Sequence, residues 1–336
     1  MISRPSLPRR IAWLLVTLVL AALVLLPLRL AQYVHQPRGE GRVRFQVARG
    51  DGPRQLAESL AVGDLASWPR GTALGMRLWG EPGAMKAGNY DLPAPTRLVD
   101  VYRAVALGQV HQVTVTFPEG LTAKEMAPLL EQAGVTGADG FLAVALDSQA
   151  AARWGLPGST LEGFLFPDTY RFAEGVGPDT VVAAMVARFR GVTEPLAGEL
   201  ARRELGLLEW VTLASVVEKE TGAEEEKPVI AGVFTNRLRR RMRLESDPTV
   251  IYGLAFFDGN LRRGDLDTDT PYNTYTRRGL PAGPIANPGR SSLVAVLRPA
   301  DVPYLYFVSR NDGTHEFSAT YEEHLAAVDR YQRRRR

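Results

Sequence analysis

The feature that most constrains this chain is an uncharged apolar segment near its N-terminus, Ile11–Leu28, in which Thr17 is the one polar side chain. Its 18 residues would span roughly 27 Å as an α-helix, close to the thickness of the hydrocarbon core of a bilayer. Arg29 and Tyr33 follow, and both side chains suit the membrane interface. The segment predicts a transmembrane anchor over residues 11–34.

A cleaved signal peptide is the alternative interpretation of this segment. The apolar run is longer than the hydrophobic region of most signal peptides, and no A-x-A-like cleavage site follows it closely, which favours an uncleaved anchor. Arginines flank the segment on both sides, so the positive-inside rule does not decide its orientation. Because long domains are translocated largely regardless of charge, we expect a cytoplasmic tail over residues 1–10 and the remainder outside.

Composition excludes several classes of function. The chain has no cysteine, which rules out disulfides, thiolate metal sites and cysteine nucleophiles. Its four histidines are scattered without ligand spacing, so we expect neither a metal nor another cofactor. The net charge of +3 argues against a nucleic-acid-binding protein. The closing arginine run is interpreted as part of a solvated basic tail, residues 330–336.

Residues 43–110 form a small predicted module. Alternating apolar residues predict a strand over 43–47, and two short helices are expected near 55–60 and 73–79. A turn then leads into a second strand, and residues 98–107 have a helical pattern. A small α+β unit of this kind usually serves binding or spacing.

Residues 111–329 form a larger predicted domain in which helices and strands mix without a steady βαβ rhythm, so the fold class is α+β. A strand is expected over 112–117 and a β-rich stretch over 297–310. Helical patterns occur near residues 123–133, 139–147, 178–190 and 207–221.

The most informative segment ends in two acidic residues, Glu218 and Glu220. On a helix Glu220 continues the bulky apolar stripe of Leu213, Val216 and Val217, whereas Glu218 lies over a smaller, more polar strip. Burial and the negative end of the helix dipole would both raise the pKa of Glu220, as a general acid requires. The alternative is a pair of solvent-exposed glutamates in a frayed last turn.

Three further segments offer binding groups. Asp247 begins an Asp-Pro pair that could bind a ligand's hydroxyl groups or start a helix. Glu162 and Asp168 lie in an aromatic-rich loop that could supply a cleft wall or a second carboxylate. A stiff loop rich in glycine and proline, residues 270–289, carries aromatic rings for stacking and polar groups for hydrogen bonds. Its candidate binding residues are Tyr272, Asn273, Thr274 and Tyr275.

Several long motifs resemble, in order, those of the endolytic murein transglycosylases of the MltG (YceG-like) family. The matching pieces, which spread over nearly all of residues 113–325, are PEGLT (118–122), LEGFLFPDTYRF (161–172), LASVVEKET (213–221), NRL (236–238), MRLESDPTVIYG (242–253), TPYNTYTRRGLPAGPIANPG (270–289) and PYLYFV (303–308). The resemblance implies that Glu220 is the catalytic acid/base, with Glu218 as the fallback. It also implies a LysM-like small module and a lysozyme-like catalytic helix.

The resemblance further implies cleavage of the β-1,4 bond between N-acetylmuramic acid and N-acetylglucosamine within nascent strands, leaving 1,6-anhydro ends and terminating elongation. The implied partners are peptidoglycan strands, the membrane and peptidoglycan synthases, and the location is the bacterial inner membrane with a periplasmic catalytic domain. We expect the 270–289 loop, Asp247 and Glu162 to hold the sugar. Two alternatives remain: a hydrolase in which Asp168 or Asp247 partners Glu220, and a non-enzymatic wall-binding scaffold.

Overall fold

The computed structural model describes residues 7–80, 85–203 and 205–333. The chain forms two compact units, the first comprising the chain up to Val113 with Ala173–Gly175, and the second comprising Thr114–Phe172 and the chain from Val176 onward. Parts of the two predicted tails, residues 1–6 and 334–336, lie outside the described residues.

The first unit begins with a long apolar helix, α1 (Leu7–His35). Within Ile11–His35 the most apolar stretch of 18 residues has a mean hydropathy of 2.8 and none of it is buried, so by length and composition this helix could cross a membrane. The helix continues past Pro27 to His35, beyond the predicted apolar segment. Leu30 and Val34 explain the extension, because these side chains, one turn apart, are buried in the core of the unit.

The rest of the first unit places three helices on a strand pair, in the order β1 (Arg42–Val47), α2 (Pro53–Val62), α3 (Pro69–Trp79), β2 (Gly88–Pro93) and α4 (Leu98–Leu107). The two strands are antiparallel, and Phe45 of β1 lies opposite Tyr90 of β2 with their rings stacked 5.1 Å apart. Gly75 allows α3 to approach α1 closely, since a Cβ there would lie 2.5 Å from Val34 Cγ1.

The second unit combines many helices with two strand pairs, and the whole chain is therefore of mixed α+β class, as predicted. Its elements are β3 (Gln112–Thr116), α5 (Ala123–Gln132), α6 (Ala138–Ala145), α7 (Ala150–Arg153), β4 (Thr169–Ala173), α8 (Pro178–Thr193), α9 (Ala197–Arg202), α10 (Leu207–Glu220), α11 (Lys227–Arg239), α12 (Asp247–Gly253), α13 (Arg263–Leu266), α14 (Arg290–Leu297), β5 (Tyr306–Ser309), β6 (His315–Ser318) and α15 (Tyr321–Val328). Strand β3 pairs with β4 and β5 pairs with β6.

The predicted β-rich stretch over 297–310 is wrong in its first half, where the strand begins only at Tyr306. Pro303 has no N–H to donate to a neighbouring strand. The carbonyl oxygens of Val302 and Tyr304 accept hydrogen bonds from the Asn236 side-chain amide, at 2.7 and 3.1 Å. These carbonyls are thus satisfied by α11, a helix that the sequence pattern did not reveal.

Candidate active site

Helix α10 is the central element of the second unit. All eight residues from Trp210 to Val217 are buried, and α14 and α11 pack against the helix. The Trp210 indole donates a hydrogen bond of 2.8 Å to the carbonyl of Leu293 on α14. Burial on most faces confirms the sequence interpretation of this helix, which ends at Glu220.

Glu220 lines a cleft of about 460 Å³ in the second unit. This volume falls within the range of sites that bind small molecules or parts of polymers. Its lining is mainly polar and comes from distant parts of the chain: Glu220, Arg237, Leu244, Glu245, Asp247, Tyr275, Phe307, Val308, Ser309, His315, His324, Val328 and Gln332.

The Glu220 carboxyl group is held in an environment that favours its protonated form. Burial, as the main cause, and the nearby charge of Asp247 raise its pKa to about 7, against the opposing effects of Ser246 and Arg237. The Ser246 hydroxyl donates a hydrogen bond to Glu220 Oε1. The residue is nevertheless partly exposed and lines the cleft, so its carboxyl can both hold a proton and reach a ligand.

Asp247 and Tyr275 lie in the same cleft and are bonded to each other. The Tyr275 hydroxyl donates to Asp247 Oδ1 at 2.6 Å. Burial and the negative charge of Asp247 raise the pKa of Tyr275, which keeps the phenol protonated as a donor. Two of the candidate binding residues are therefore beside Glu220.

Asn273 and Thr274 are buried, and their polar atoms are engaged within the protein. The Asn273 amide donates to the carbonyls of residues 266 and 268, and its Oδ1 accepts from Tyr275 N–H at 2.8 Å. Thr274 Oγ1 accepts from Ser246 N–H at 3.1 Å. The two residues therefore do not line the cleft. They lie beneath it and fix the backbone of Tyr275 and Ser246 through these hydrogen bonds.

Glu162 is buried away from the lining of this cleft. Its carboxylate accepts hydrogen bonds from Ala123 N–H (3.0 Å), the Asn287 amide (2.7 Å) and the Tyr252 hydroxyl (3.2 Å). Burial raises its pKa to about 7 despite these bonds. A raised pKa alone therefore does not distinguish Glu162 from Glu220, but position in the cleft does. Tyr272 is likewise directed elsewhere, with its ring 4.8 Å from that of Tyr252.

Asp168 is bonded to groups outside the cleft lining. It accepts from Arg188 Nε at 2.5 Å and from Thr169 N–H at 2.7 Å. Burial would raise its pKa, but these hydrogen bonds outweigh burial and lower it. An ionised, ion-paired carboxylate away from Glu220 is poorly placed to act as its partner.

Glu218 points away from Glu220, as the helical spacing predicts. Its carboxylate accepts from Ser292 Oγ (2.7 Å), Gly289 N–H (2.9 Å) and Lys227 Nζ (3.3 Å). The Glu218 and Lys227 side chains are only 7% and 2% exposed. The fallback candidate is thus a buried partner that joins α10 to α11 and α14.

Sequence reasoning missed several residues of the cleft. Arg237 is held by the Leu305 carbonyl at 2.6 Å and by Glu245 at 3.2 Å. His315 Nδ1 lies 2.7 Å from Glu226 Oε2, and His324 lies nearby in the lining. The two histidines are far from Glu220 in the sequence, and their positions along the chain do not reveal their common location in the cleft. The one available signal was the NRL motif, which contains Arg237.

Comparison with known proteins is consistent with this architecture. The chain matches the model of the YceG-like family over residues 45–330. A crystal structure of a YceG-like protein from Listeria monocytogenes superposes with a TM-score of 0.60 at 27% identity, covering 86% of this chain and 100% of that one.

Two curated relatives are named endolytic murein transglycosylase. The Bacillus subtilis protein is 38% identical over 175 residues, which are 51% of this chain and 48% of the relative. The protein of Streptococcus pneumoniae serotype 2 is 30% identical over 273 residues, which are 71% of this chain and 49% of the relative. The chain spans about half the length of the curated relatives it matches.

Proposed function

We propose, because the chain belongs to the YceG-like family, that it is a lytic transglycosylase that cuts peptidoglycan glycan strands internally, with Glu220 as its acid/base. The proposed bond is the β-1,4 linkage between N-acetylmuramic acid and N-acetylglucosamine, and the proposed role is to end the elongation of nascent strands. The names of the relatives support this activity.

One observation carries the proposal. A carboxyl group lies at the end of a buried helix, opens into a cleft, and has a pKa raised to about 7. With that pKa, a large share of the molecules hold the proton at neutral pH, and the same group remains basic enough to take a proton back.

The proposed reaction has two proton transfers and requires no water. Glu220 donates its proton to the glycosidic oxygen as the bond from C1 of the muramyl residue breaks, giving a free 4-hydroxyl on the leaving sugar. The C6 hydroxyl of the same muramyl residue then bonds to C1, and its proton passes to the Glu220 carboxylate. The product carries a 1,6-anhydro ring, and Glu220 is restored to its acid form.

The surrounding residues have proposed roles in this sequence. The Ser246 hydrogen bond stabilises Glu220 while it is ionised between the two transfers. Asp247 places negative charge beside the oxocarbenium-like centre, and Tyr275 fixes its orientation. The 270–289 loop supports both through Asn273 and Thr274. Glu162 supports the opposite end of that loop through Asn287.

A two-carboxylate hydrolase is the second candidate, and the position of Asp247 in the same cleft is the observation that favours it. An inverting or retaining hydrolase needs a second carboxylate for water or for the sugar. Its products would carry reducing ends and be heavier by one water than anhydro products.

The Glu220→Gln variant tests the proposal on purified sacculi, with mass spectrometry of the released glycans. We expect anhydro-ended fragments from the unmodified chain and none from the variant, while Glu218→Gln still releases them. Release by Glu220→Gln but not by Glu218→Gln would transfer the role to Glu218. Intact sacculi with every form of the chain would favour a binding scaffold.

The remaining assignments belong to the same proposal. The long apolar α1 would be a single-pass anchor in the inner membrane, with the N-terminus cytoplasmic and the catalytic domain periplasmic. Residues 43–110 would be a LysM-like module, residues 111–329 the catalytic domain, and α10 its lysozyme-like helix. Peptidoglycan synthases would be its protein partners.

A further inference from the structure

We propose that the exposed face of α3 is a membrane contact that binds the headgroups of anionic phospholipids in the leaflet from which α1 emerges. The proposal rests on the proposed membrane anchorage and is independent of the proposed chemistry. It concerns only the first unit.

The exposed face of α3 combines positive and apolar side chains. Arg70, Leu74, Arg77 and Leu78 occur at spacings of four, three and one, which place them on one side of a helix. Leu74 is 42% exposed and Leu78 is 61% exposed. The opposite side of the helix, with Gly71, Thr72 and Gly75, is buried in the unit. Basic residues beside exposed leucines are typical of helices that lie in a membrane interface.

A cavity of about 720 Å³ opens on this face. Its apolar lining comes from Trp68, Pro69, Ala73 and Leu74, and its charged lining from Arg54, Glu58, Arg70 and Arg77. Arg54 Nε pairs with Glu58 at 3.1 Å. In contrast, Arg70 and Arg77 form no ion pair with any residue that the structure describes. Guanidinium groups beside apolar surface fit a phosphodiester attached to acyl chains, because guanidinium binds phosphate with two parallel hydrogen bonds.

Contacts with α1 set the height of this face relative to a bilayer. The rings of Tyr33 and Trp68 meet edge to face at 5.6 Å, and the backbone N–H of Trp68 donates to the Tyr33 hydroxyl at 2.9 Å. Tyr33 follows Leu28, the end of the uncharged segment, by five residues, which corresponds to roughly 7.5 Å along the helix. The polar headgroup layer on each side of the hydrocarbon core is about 5–8 Å thick.

The start of α3 is therefore held at the level of the headgroups. Tyrosine and tryptophan rings are enriched at this level in membrane proteins. Because Leu30 and Val34 are buried in the core of the unit, α1 and α3 belong to one packed body, and insertion of α1 carries the start of α3 with it to the membrane surface.

Site-directed spin labelling tests the contact, since the chain has no native cysteine. Single variants Leu74→Cys, Leu78→Cys and Gln46→Cys would be labelled in the full chain carrying Glu220→Gln. Each would be reconstituted into phosphatidylcholine bilayers with and without phosphatidylglycerol, in the absence of glycan. We expect labels at 74 and 78 to collide preferentially with oxygen, and the label at 46, on the exposed face of β1, with a water-soluble nickel chelate. Labels at 74 and 78 that are as accessible to nickel as the label at 46 would overturn the proposal.

The charge dependence provides the second arm. In bilayers with phosphatidylglycerol, we follow the equilibrium constant between the membrane-bound and the water-exposed state of the label at residue 78. The double substitution Arg70→Gln/Arg77→Gln should lower this constant by about fivefold per arginine. Arg49→Gln, at an exposed position outside the cavity lining, should leave it unchanged. Equal effects of the two substitutions would contradict a headgroup site. Immobilisation of the label at 74 by soluble glycan strands instead of by lipid would identify a saccharide site and overturn the proposal. Because no readout involves bond cleavage, the result stands apart from the test of Glu220.

Discussion

Ser246 donates the hydrogen bond of its hydroxyl to Glu220, although it occupies the N-cap position of α12. A serine at an N-cap usually accepts a hydrogen bond from the first turn of its own helix, which stabilises the helix by about 1 kcal/mol. Here no such bond forms. The start of α12 gives up a stabilising contact, and the hydroxyl is directed to a carboxyl group in the cleft.

Ser246→Ala should move the pH dependence of cleavage upward. The hydroxyl favours the ionised form of Glu220, so its loss raises the pKa above about 7. Activity that needs the protonated acid falls as pH rises through this pKa, and the alkaline limb should therefore shift to higher pH by about one unit. The measurement is the pH profile of anhydro-end release.

Ser292→Ala is the matched control for this variant, because Ser292 donates to Glu218 in the same way that Ser246 donates to Glu220. We expect the alkaline limb to stay in place. An equal shift in both variants would show that the limb does not report on Glu220.

Asp247→Asn should shift the same limb in the opposite direction. The negative charge of Asp247 raises the pKa of Glu220, so its removal lowers that pKa and brings the loss of activity to lower pH. The lytic mechanism also predicts that the residual products keep anhydro ends, because no second carboxylate activates water. Complete loss of cleavage, with reducing ends from the unmodified chain, would instead support the hydrolase.

Glu218→Ala should reduce stability more than it alters the cleft. Removing one partner of a buried ion pair typically costs about 3–5 kcal/mol. The cost here should be near the lower end, because Lys227 keeps Glu224 at 2.6 Å and Ser291 at 2.7 Å. Denaturant unfolding of the detergent-solubilised chain measures the loss.

The double variant Glu218→Ala/Lys227→Met should recover part of that stability, since it also removes the buried charge of Lys227, which Glu224 alone compensates only in part. No recovery would indicate that the hydrogen bonds of Glu218 to Gly289 and Ser292 carry most of its contribution.

Gly163→Ala should destabilise the second unit strongly. Gly163 has φ of +88°, and a Cβ there would lie 2.5 Å from Pro284 and 2.8 Å from Val211. The substitution would add the strain of the left-handed region, about 1–2 kcal/mol, to a clash of the new methyl group with Pro284 in the 270–289 loop and with Val211 on α10.

Gly134→Ala separates the two effects, because Gly134 lies in the same unit and has φ of +69° and open space around it. We expect it to lose only the backbone contribution in thermal unfolding. Equal losses at the two positions would mean that the loop yields to the added methyl group at little cost.

The sequence predicted those parts of the site that depend on local periodicity. The apolar stripe of α10 is visible in the spacing of Leu213, Val216 and Val217, so the contrast between Glu220 and Glu218 could be stated without a structure. The two strands and three helices of the first unit were also found in order. Their ends differed by a few residues, because packing and capping decide where helices end.

Long-range hydrogen bonds could not be predicted in the same way. Asn273 and Thr274 have side chains suited to ligand binding, yet the amide of Asn273 and the hydroxyl of Thr274 already form hydrogen bonds within the fold. Glu162 resembles a catalytic carboxyl in both burial and pKa, and only its partner Asn287, 125 residues away, shows that it supports a loop. Such pairings depend on the tertiary arrangement, which residue type does not reveal.

The unbroken course of α1 into the core of the first unit has a mechanical consequence. Because α1 continues without a break past Leu28, the proposed anchor and the module would tilt together as one rigid body. In a thinner bilayer α1 would incline to keep its apolar length covered, and the module would incline through the same angle. Bilayer thickness would thereby set the tilt angle of the module relative to the membrane. With a flexible linker, the orientation of the module would not depend on the tilt of α1.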